Sequence, residues 1–344
     1  MKETEVWDIA SRLMPQSALE DDAYHETFSP HLRRVYSIDA FTEGTHFDLK
    51  WQSLQQIGWR CLTASLSDLA ACGANPLGYL VSLVLPEEAT SADVKALYQG
   101  FEEATNAFSP SLSPSFSLWG GDTVKGQSWM LSLTVIGEVE SHVQLKRSYA
   151  QVGNYIIATG SHGLAGLGCF LLQKKADTHA FPTAMKAFYT PVAHIQAGRV
   201  LADLIPEASL MDTSDGLADA ALKCADASAL HFVLEAERLV IHPELMQASE
   251  RFPDFNALTT LLYGGEDFEL LASVPQTSWL KHRNDLEACG FQVIGMVEAV
   301  STTSDIGASL QDESGKRKRL SYQHTFQHFI SILETRHDDP PIRR

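Results

Sequence analysis

The chain has 344 residues, of which 44% are hydrophobic and 20% charged, a composition typical of a soluble globular protein and a length typical of two domains. Its formal net charge of −17 argues against a nucleic-acid-binding protein, which needs a basic face. No apolar run reaches the roughly 18 residues of a membrane span, and the polar N-terminus lacks a signal-peptide core. Since the five cysteines are widely spaced, we expect buried free thiols in a cytoplasmic protein.

The first half of the chain predicts alternating helices and strands. A short amphipathic helix is expected at residues 4–14, followed by a polar stretch with an acidic pair, Asp21 and Asp22. The other predicted elements of this half are a strand from Val35 to Ala40 that ends near Asp39, a helix at 55–72, a strand at 78–86, a helix at 91–108 with Ser91 as N-cap, a strand at 115–119 that runs into Gly120-Gly121-Asp122, and a strand at 129–138.

A polar segment at 142–152 is predicted to join two domains. The second half then contains a strand at 154–160, a glycine-rich run with a helix after it, a helix at 191–205, a strand, acidic turn and helix through DTSDGLADA, and strands at 231–242 and 258–274 around the acidic turn GGED. The stretches around Asp68 and Asp215 resemble each other, as do those around Gly120 and Gly264, at similar offsets. This weak internal echo favours two related α/β halves.

Carboxylates recur beside apolar runs. Four runs that read as strands are followed by Asp39, by Asp122, by Asp212 with Asp215, and by Glu266 with Asp267, whereas Asp68 lies within an apolar helix. A single aspartate in such a place is commonly a turn former or a helix cap. Several carboxylates on one site would repel each other, and hard cations with oxygen ligands relieve that repulsion. The histidines lack zinc-site spacing, so the pattern favours magnesium with phosphates.

The run from Gly160 to Gly168 is glycine-rich and follows a predicted strand. It matches neither a Walker A loop nor the G-x-G-x-x-G dinucleotide pattern. Two interpretations stay open, a close-packed turn between a strand and a helix and a phosphate contact at a helix N-terminus.

Six stretches in this order resemble the thiamine-monophosphate kinase family, within the superfamily of aminoimidazole ribonucleotide synthetase. They are SID-x-FTEGTHF (37–47), LSDLAACGANP (66–76), GGDTVKG (120–126), KRSYAQVGNYIIATG (146–160), DTSDGLADA (212–220) and GGEDFEL (264–270). The resemblance implies two α/β domains, here 1–145 and 146–335 with a disordered tail expected at 336–344, and a homodimer in which the N-terminal sheets of two subunits pair. It also implies transfer of the γ-phosphoryl group of ATP to thiamine monophosphate with several Mg²⁺ ions. The polar, proline-containing composition of the tail, apart from the resemblance, predicts its disorder.

The resemblance also implies a set of site residues by motif position. The metal-binding set is Asp22, Ser37, Ile38, Asp39, Asp68, Asp122, Asp212 and Asp215. The ATP-contacting set is Gly121, Asp122, Arg147 and Ser214, and the substrate-contacting set is His46, Glu266 and Phe326. Catalysis is assigned to Asp122, Asp215 and Arg147. The plainer alternatives are a linker surface charge for Arg147, an ordinary half-buried histidine for His46 and core packing for Phe326.

The sequence departs from the family pattern in three places. Ala18 and Glu20 replace the two glycines of the first acidic motif, which weakens the assignment of Asp22, and Ile38 offers only its carbonyl where the family often has threonine. The segment 190–194 lacks the arginines and second proline of many relatives. We therefore expect weaker affinity for one metal ion.

Two other functions are considered. Another ATP-dependent synthetase of the superfamily is the nearest rival, although selenophosphate synthetase would show a reactive cysteine near its N-terminus and none precedes Cys61. A catalytically weakened homologue that binds thiamine phosphates is the other, supported only by the altered first motif.

Overall fold

A computed structural model of the chain describes residues 24–27, 29–113 and 116–324, with side chains from residue 29 onwards. The predicted helix at 4–14 and two predicted site residues, Asp22 and Phe326, lie outside the described residues. The first sheet has five strands in the order β1-β2-β5-β3-β4, antiparallel except for the β3–β4 pair. These strands are β1 (Tyr24–Thr27), β2 (Leu32–Thr42), β3 (Asn75–Leu85), β4 (Ser117–Lys125) and β5 (Met130–Glu140).

Two long helices cover one face of this sheet. Helix α1 (Leu54–Ala71) begins with a capping box formed by Ser53 and Gln56. Helix α2 (Ser91–Phe108) is capped by Thr90 rather than by the predicted Ser91. The helices approach so closely that a Cβ atom on Gly58 would lie 2.2 Å from the carbonyl oxygen of Leu97. Glycine at this crossing therefore brings α1 tightly against α2.

The second sheet has eight strands in the order β13-β12-β9-β11-β7-β10-β8-β6. They are β6 (Gln144–Leu145), β7 (Tyr155–Ala158), β8 (Glu207–Asp212), β9 (His231–Glu235), β10 (Leu270–Val274), β11 (Gln292–Glu298), β12 (Gly307–Gln311) and β13 (Arg317–Arg319). The helices of this half are α3 (Leu164–Gln173), α4 (Pro182–Tyr189), α5 (Ile195–Leu204), α6 (Leu217–Ser228), α7 (Pro243–Arg251), α8 (Ala257–Tyr263) and α9 (Gln276–Ala288). The domain boundary at 145 and 146 stays a prediction.

One hydrophobic core joins the two sheets. It contains Val81 and Leu133 of the first sheet, Leu66 of α1, Leu201 of α5 and Leu210 of the second sheet. A second core packs α3, α6 and α8 on the opposite face of the second sheet. Helices α1 and α5 meet at Gly198, where an added Cβ would lie 2.1 Å from the Ala70 carbonyl oxygen. The two halves are therefore held together by buried apolar contact through α1 and α5.

Several predicted element boundaries are wrong. Asp39 and Asp122 lie inside β2 and β4, not at strand ends. The LLY run before Gly264 ends helix α8 rather than a strand, and the helix predicted from residue 191 begins at Ile195. Short apolar runs do not separate a strand from a buried helix, and polar residues on an exposed face continue a strand past its apparent end.

The predicted free thiols are confirmed, since all five cysteines are unpaired by disulfide and only Cys289 is partly exposed. In the described part of the chain, no helix has the length and apolar character that crossing a membrane requires.

Candidate active site

The turn after β8 places two carboxylates at the edge of the second sheet. Asp212 is the last residue of β8 and is buried, and it accepts hydrogen bonds from Ser67 Oγ of α1 at 2.8 Å and from Ser214 Oγ at 3.2 Å. Asp215 follows in the same turn, next to Gly216 with φ +106°. The Ser67–Asp212 bond crosses from one half of the chain to the other. It therefore places this turn against α1.

Strand β2, in the first half of the chain, contributes Asp39 and a serine that contacts Asp68. Side chains alternate along a strand, so Ser37 and Asp39 point toward α1 whereas Ile38 points away and is 67% exposed. Ser37 Oγ donates a hydrogen bond to Asp68 of α1. Asp39 Oδ2 is buried and accepts no hydrogen bond from the described residues.

These carboxylates perturb each other. Burial raises the pKa of Asp39 to about 6, which the Ser65 hydroxyl opposes and the charge of Asp212 reinforces. Burial also raises the pKa of Asp212, against the Ser67 hydrogen bond and in the same direction as the charge of Asp215. The charge of Asp212 thus acts on the pKa of Asp39, so β2 and β8 bring these two acids near each other.

Two cations border the acidic cluster, the name used here for Asp39, Asp68, Asp212 and Asp215. Lys223 of α6 lies with Nζ 2.7 Å from Asp219 and 3.3 Å from Asp215. Burial opposes the charge on Lys223, but the two aspartates together raise its pKa. Arg147 and Lys223 both counter the rise in the pKa of Asp212. Fixed positive charges at an acidic edge are suited to an anionic ligand.

The loop 264–268 has unusual backbone geometry. Glu266 and Phe268 adopt left-handed conformations, with φ of 59° and 52°. Such strain in side chains other than glycine is concentrated at functional sites. Glu266 N–H donates to the Ser214 carbonyl at 2.7 Å, which joins this loop to the acidic turn.

The glycine-rich run forms a close-packed turn between β7 and α3, the first of its two interpretations. Its helix N-terminus is already occupied, because Asp267 accepts the Gly163 and Ala165 N–H groups at 2.6 and 2.9 Å. A Cβ atom on Gly166 would lie 2.9 Å from Gly264 Cα. Since a carboxylate of the chain satisfies these donors, the run is unsuited to the phosphate contact.

An open pocket adjoins the loop. Its lining includes His46, Glu266, Trp51, Gln52, Arg60 and Phe188. His46 Nδ1 accepts the Thr42 N–H at 3.1 Å, so a neutral His46 carries its proton on Nε2. Arg60 of α1 is buried, forms an ion pair with Glu266 and lies 4.8 Å from the centre of the Phe188 ring. The pocket thus combines aromatic walls with a paired acid and base.

Both halves of the chain match known protein families. The family described as AIR synthase related protein, N-terminal domain, matches residues 20–139, and its C-terminal domain counterpart matches residues 151–306. Thiamine-monophosphate kinase of Synechococcus elongatus is 33% identical over 324 residues, which cover 92% of this chain and 93% of the relative. This chain belongs to the thiamine-monophosphate kinase family. The Bacillus subtilis enzyme of that name is 31% identical and covers 75% of this chain and 78% of its own length.

The fold agrees with this family. The solved structure of AaThiL complexed with AMPPCP and TMP superposes with a TM-score of 0.80, covering 95% of this chain and 97% of its own, at 24% identity. That similarity confirms the two-domain α/β fold.

The predicted site residues that the structure describes do not all lie at one place in the chain. Asp39, Asp68, Asp212, Asp215, Ser214 and Arg147 lie at or beside the acidic cluster, and His46 and Glu266 share the pocket. Asp122 is exposed and accepts a hydrogen bond from the adjacent Thr123 N–H at 2.8 Å. Across the sheet, Asp39 lies opposite Leu133, which lies opposite the buried Val81, and Val81 lies opposite Gly121. Asp122 is the next residue along β4 and lies opposite the exposed Ser82. Asp122 therefore lies on the sheet face opposite Asp39.

Sequence reasoning missed three contributors. Ser67 and Arg60 lie on α1 near Asp68, and Lys223 lies two turns into α6. The signal for Arg60 was present, because a charge within an otherwise apolar helix needs a buried partner. Nothing in the sequence identified Glu266 as that partner, since the two residues are far apart along the chain.

Proposed function

We propose that this protein transfers the γ-phosphoryl group of ATP to thiamine monophosphate and forms thiamine diphosphate. The observation that supports this most directly is that an acidic cluster and an open pocket lie side by side between the two halves of the chain. An acidic cluster of Asp39, Asp68, Asp212 and Asp215 lies beside a pocket that contains His46 and Glu266. The relatives named for this activity match nearly the whole chain, which supports the same assignment.

Magnesium fits the residues present. The donors are carboxylate and hydroxyl oxygens, which Mg²⁺ prefers. The buried Asp39 Oδ2 has no hydrogen bond from the described residues, and its pKa is raised, so a cation there would relieve an existing cost. No three His, Cys, Asp or Glu side chains within the described ranges form a ready-made ligand set. Mg²⁺ commonly binds one or two carboxylates and takes its other ligands from water and substrate phosphates.

We assign Asp39, Asp68, Asp212 and Asp215 to the metal ions, which would neutralise the triphosphate and the developing charge. The chain's own cations act beside them. Arg147 offers a planar guanidinium suited to a phosphate. We also assign Ser214, whose hydroxyl donates to Asp212, to the ATP site. Of the remaining predicted metal residues, Ser37 orients Asp68, whereas Ile38 points away from the cluster.

The acceptor needs no general base. A phosphate monoester has a second pKa of about 6, so it is mostly a dianion at neutral pH. The barrier is then repulsion between two polyanions, and positive charge with in-line positioning lowers it. The pocket would hold the thiamine moiety between its aromatic walls, with His46 and Glu266 as polar contacts.

We also propose a homodimer that covers the outward face of the first sheet. That face exposes Ile38, Leu80 and Trp119, at 67%, 42% and 53%. Exposed apolar patches of this kind mark interaction surfaces. Asp122 and Leu80 are on this face, so in the dimer Asp122 would contribute from the interface rather than from the interior of its own protomer.

The test is direct. Purified protein is incubated with ATP, Mg²⁺ and thiamine monophosphate, and thiamine diphosphate is quantified by chromatography. We expect product in large molar excess over enzyme and none when EDTA exceeds Mg²⁺. Tight ligand binding without turnover would reject the kinase and favour a binding protein.

A further inference from the structure

A second group of titratable side chains, two of them buried and one half-buried, lies next to the acidic cluster. Glu269, the residue before β10, accepts a hydrogen bond from Thr159 Oγ1 and lies with Oε2 2.8 Å from His194 Nε2. His162, in the glycine-rich turn, is buried beside them, and its Nε2 has no hydrogen-bond partner among the described residues. None of these side chains has a part in the phosphoryl transfer described above.

Burial and the mutual contacts of these side chains set the direction of their pKa shifts. Burial opposes the charge on Glu269, yet His194 beside it lowers the Glu269 pKa, so this carboxylate is ionised. Burial likewise opposes the proton on His194, but Glu269 raises the His194 pKa. Burial lowers the pKa of His162 to about 4, which leaves that ring neutral at physiological pH. Glu269 is the charged group that raises the His194 pKa, and the buried His162 ring beside the pair is neutral.

The ion pair is connected to the acidic turn through the backbone. The carbonyl oxygen of Glu269 accepts the N–H of Thr213 at 2.8 Å, and Thr213 lies between Asp212 and Ser214. Thr159 Oγ1, which donates to the Glu269 carboxylate, also accepts the Leu270 N–H at 2.9 Å. The Glu269 carboxylate is therefore held by Thr159 and His194, and its carbonyl oxygen is bonded to Thr213. A shift of Glu269 would move the turn that contains Asp212 and Asp215.

The same pair fixes the start of α5. His194 is the residue directly before α5, and α5 packs on α1 at Gly198. Helix α1 in turn contributes Ser67 to Asp212 and contains Asp68. The His194–Glu269 contact thus acts on the acidic cluster by two routes, through Thr213 and through the α5–α1 packing.

We propose that His194 is a positioning residue for phosphoryl transfer, whose protonated ring pairs with Glu269 and holds the Asp212–Asp215 turn and α5 in their reactive arrangement. This inference rests on the proposed function. It predicts that turnover falls at alkaline pH as His194 loses its proton, because a neutral ring leaves the buried Glu269 carboxylate without a compensating charge.

The test compares pH profiles of kcat for wild type, His194→Gln and His194→Arg. Loss of a supporting partner one step removed from the reacting groups typically costs about 10- to 100-fold in activity. We expect that loss for His194→Gln at neutral pH and below, with the gap to wild type closing at alkaline pH where the wild-type ring is neutral. The KM for thiamine monophosphate should change little because the pocket is untouched. His194→Arg, whose charge is fixed, should retain activity and lose the alkaline limb. His179→Gln, at an exposed site, serves as the matched control and should keep the wild-type profile.

A second measurement remains decisive if the arginine variant does not fold. The His194 pKa is raised by folding, so its stabilisation is complete below the unfolded pKa and is lost as pH rises through the folded pKa. The difference in unfolding free energy between wild type and His194→Gln should therefore shrink from pH 6 to pH 9. A constant difference, or a His194→Gln profile that matches wild type, would overturn the proposal. An inactive wild type would instead reject the proposed function, and the stability arm would still report on the pair.

Discussion

At the scale of single residues, the site is organised by paired charges. Asp215 is held by Lys223, Asp212 by two serine hydroxyls, and Glu266 by Arg60. Each carboxylate is thereby oriented by a partner within the chain. The pairs also explain how a cluster of acids can exist in a folded chain with a net charge of −17.

Asp215→Asn tests the metal assignment. The change removes one charge, while Lys223 keeps Asp219 as a partner at 2.7 Å, so the fold should persist. We expect turnover to fall by at least about 100-fold, the scale for loss of one preorganised electrostatic group. Thiamine diphosphate formation and the melting temperature are the two measurements. Asp254→Asn, at an exposed acid paired with Lys174, is the control, and equal activity of the two variants would reject the assignment.

Arg60 and Glu266 give a second prediction at this scale. Arg60→Met leaves the nearly buried Glu266 carboxylate without its ion-pair partner, and breaking such a pair costs about 3–5 kcal/mol. Urea unfolding should show this loss, and the double variant Arg60→Met with Glu266→Gln should recover part of it. The same change at the exposed Arg283–Glu287 pair should have little effect. Additive effects of the two substitutions would indicate that the residues do not interact.

At the scale of elements, the site depends on how closely α1 and α5 pack. Helix α1 carries Arg60, Ser67 and Asp68, and it is positioned by glycine contacts with α2 and α5. Close backbone approach at Gly198 leaves no room for a side chain, because an added Cβ would lie 2.1 Å from the Ala70 carbonyl oxygen. The spacing of these helices is thus set by main-chain contact.

Gly198→Ala tests this dependence. The added methyl group must push α5 away from α1, and overpacking of this kind typically costs about 1–3 kcal/mol. Because the shift also moves Ser67 and Asp68, we expect kcat to fall together with stability. Unfolding and turnover are measured on the same samples. Gln196→Ala, at an exposed position of the same helix, should leave both near wild type, and an unaffected Gly198→Ala enzyme would contradict the packing argument.

At the scale of the whole molecule, the two faces of the first sheet have different roles. One face packs on α1 and α2, and the other exposes apolar side chains that include Trp119, whose ring lies over Gly78. The edge strand β4 is exposed along almost its whole length. A second copy of the chain is the partner we propose for this surface.

Trp119→Glu tests the dimer. A charge at the centre of an apolar interface is costly to bury, so we expect the variant to sediment as a monomer where wild type sediments as a dimer. Analytical ultracentrifugation over a concentration series is the measurement. Leu280→Glu, at a 66% exposed site on α9, controls for added charge and should leave the assembly unchanged. A monomeric wild type would reject the dimer.

The sequence predicted the elements that are long and strongly periodic. Helices α1 and α2 begin and end within a residue or so of their predicted limits, because each combines an apolar face with a capping signal. The motif order also placed Asp212, Ser214 and Asp215 in one turn between a strand and a helix. These features depend on neighbours along the chain, which the sequence contains.

Only the tertiary structure decided which motifs meet. Alternation along β2 and the register across β5 and β3 place Asp39 and Asp122 on opposite faces of one sheet, although both lie in acidic motifs. The pairing of Arg60 with Glu266, and of His194 with Glu269, joins residues far apart in sequence. The sequence therefore determined which acids are present and which turns contain them. The packing of α1 and α5 between the two sheets decided which partner each acid contacts, because those partners are distant along the chain.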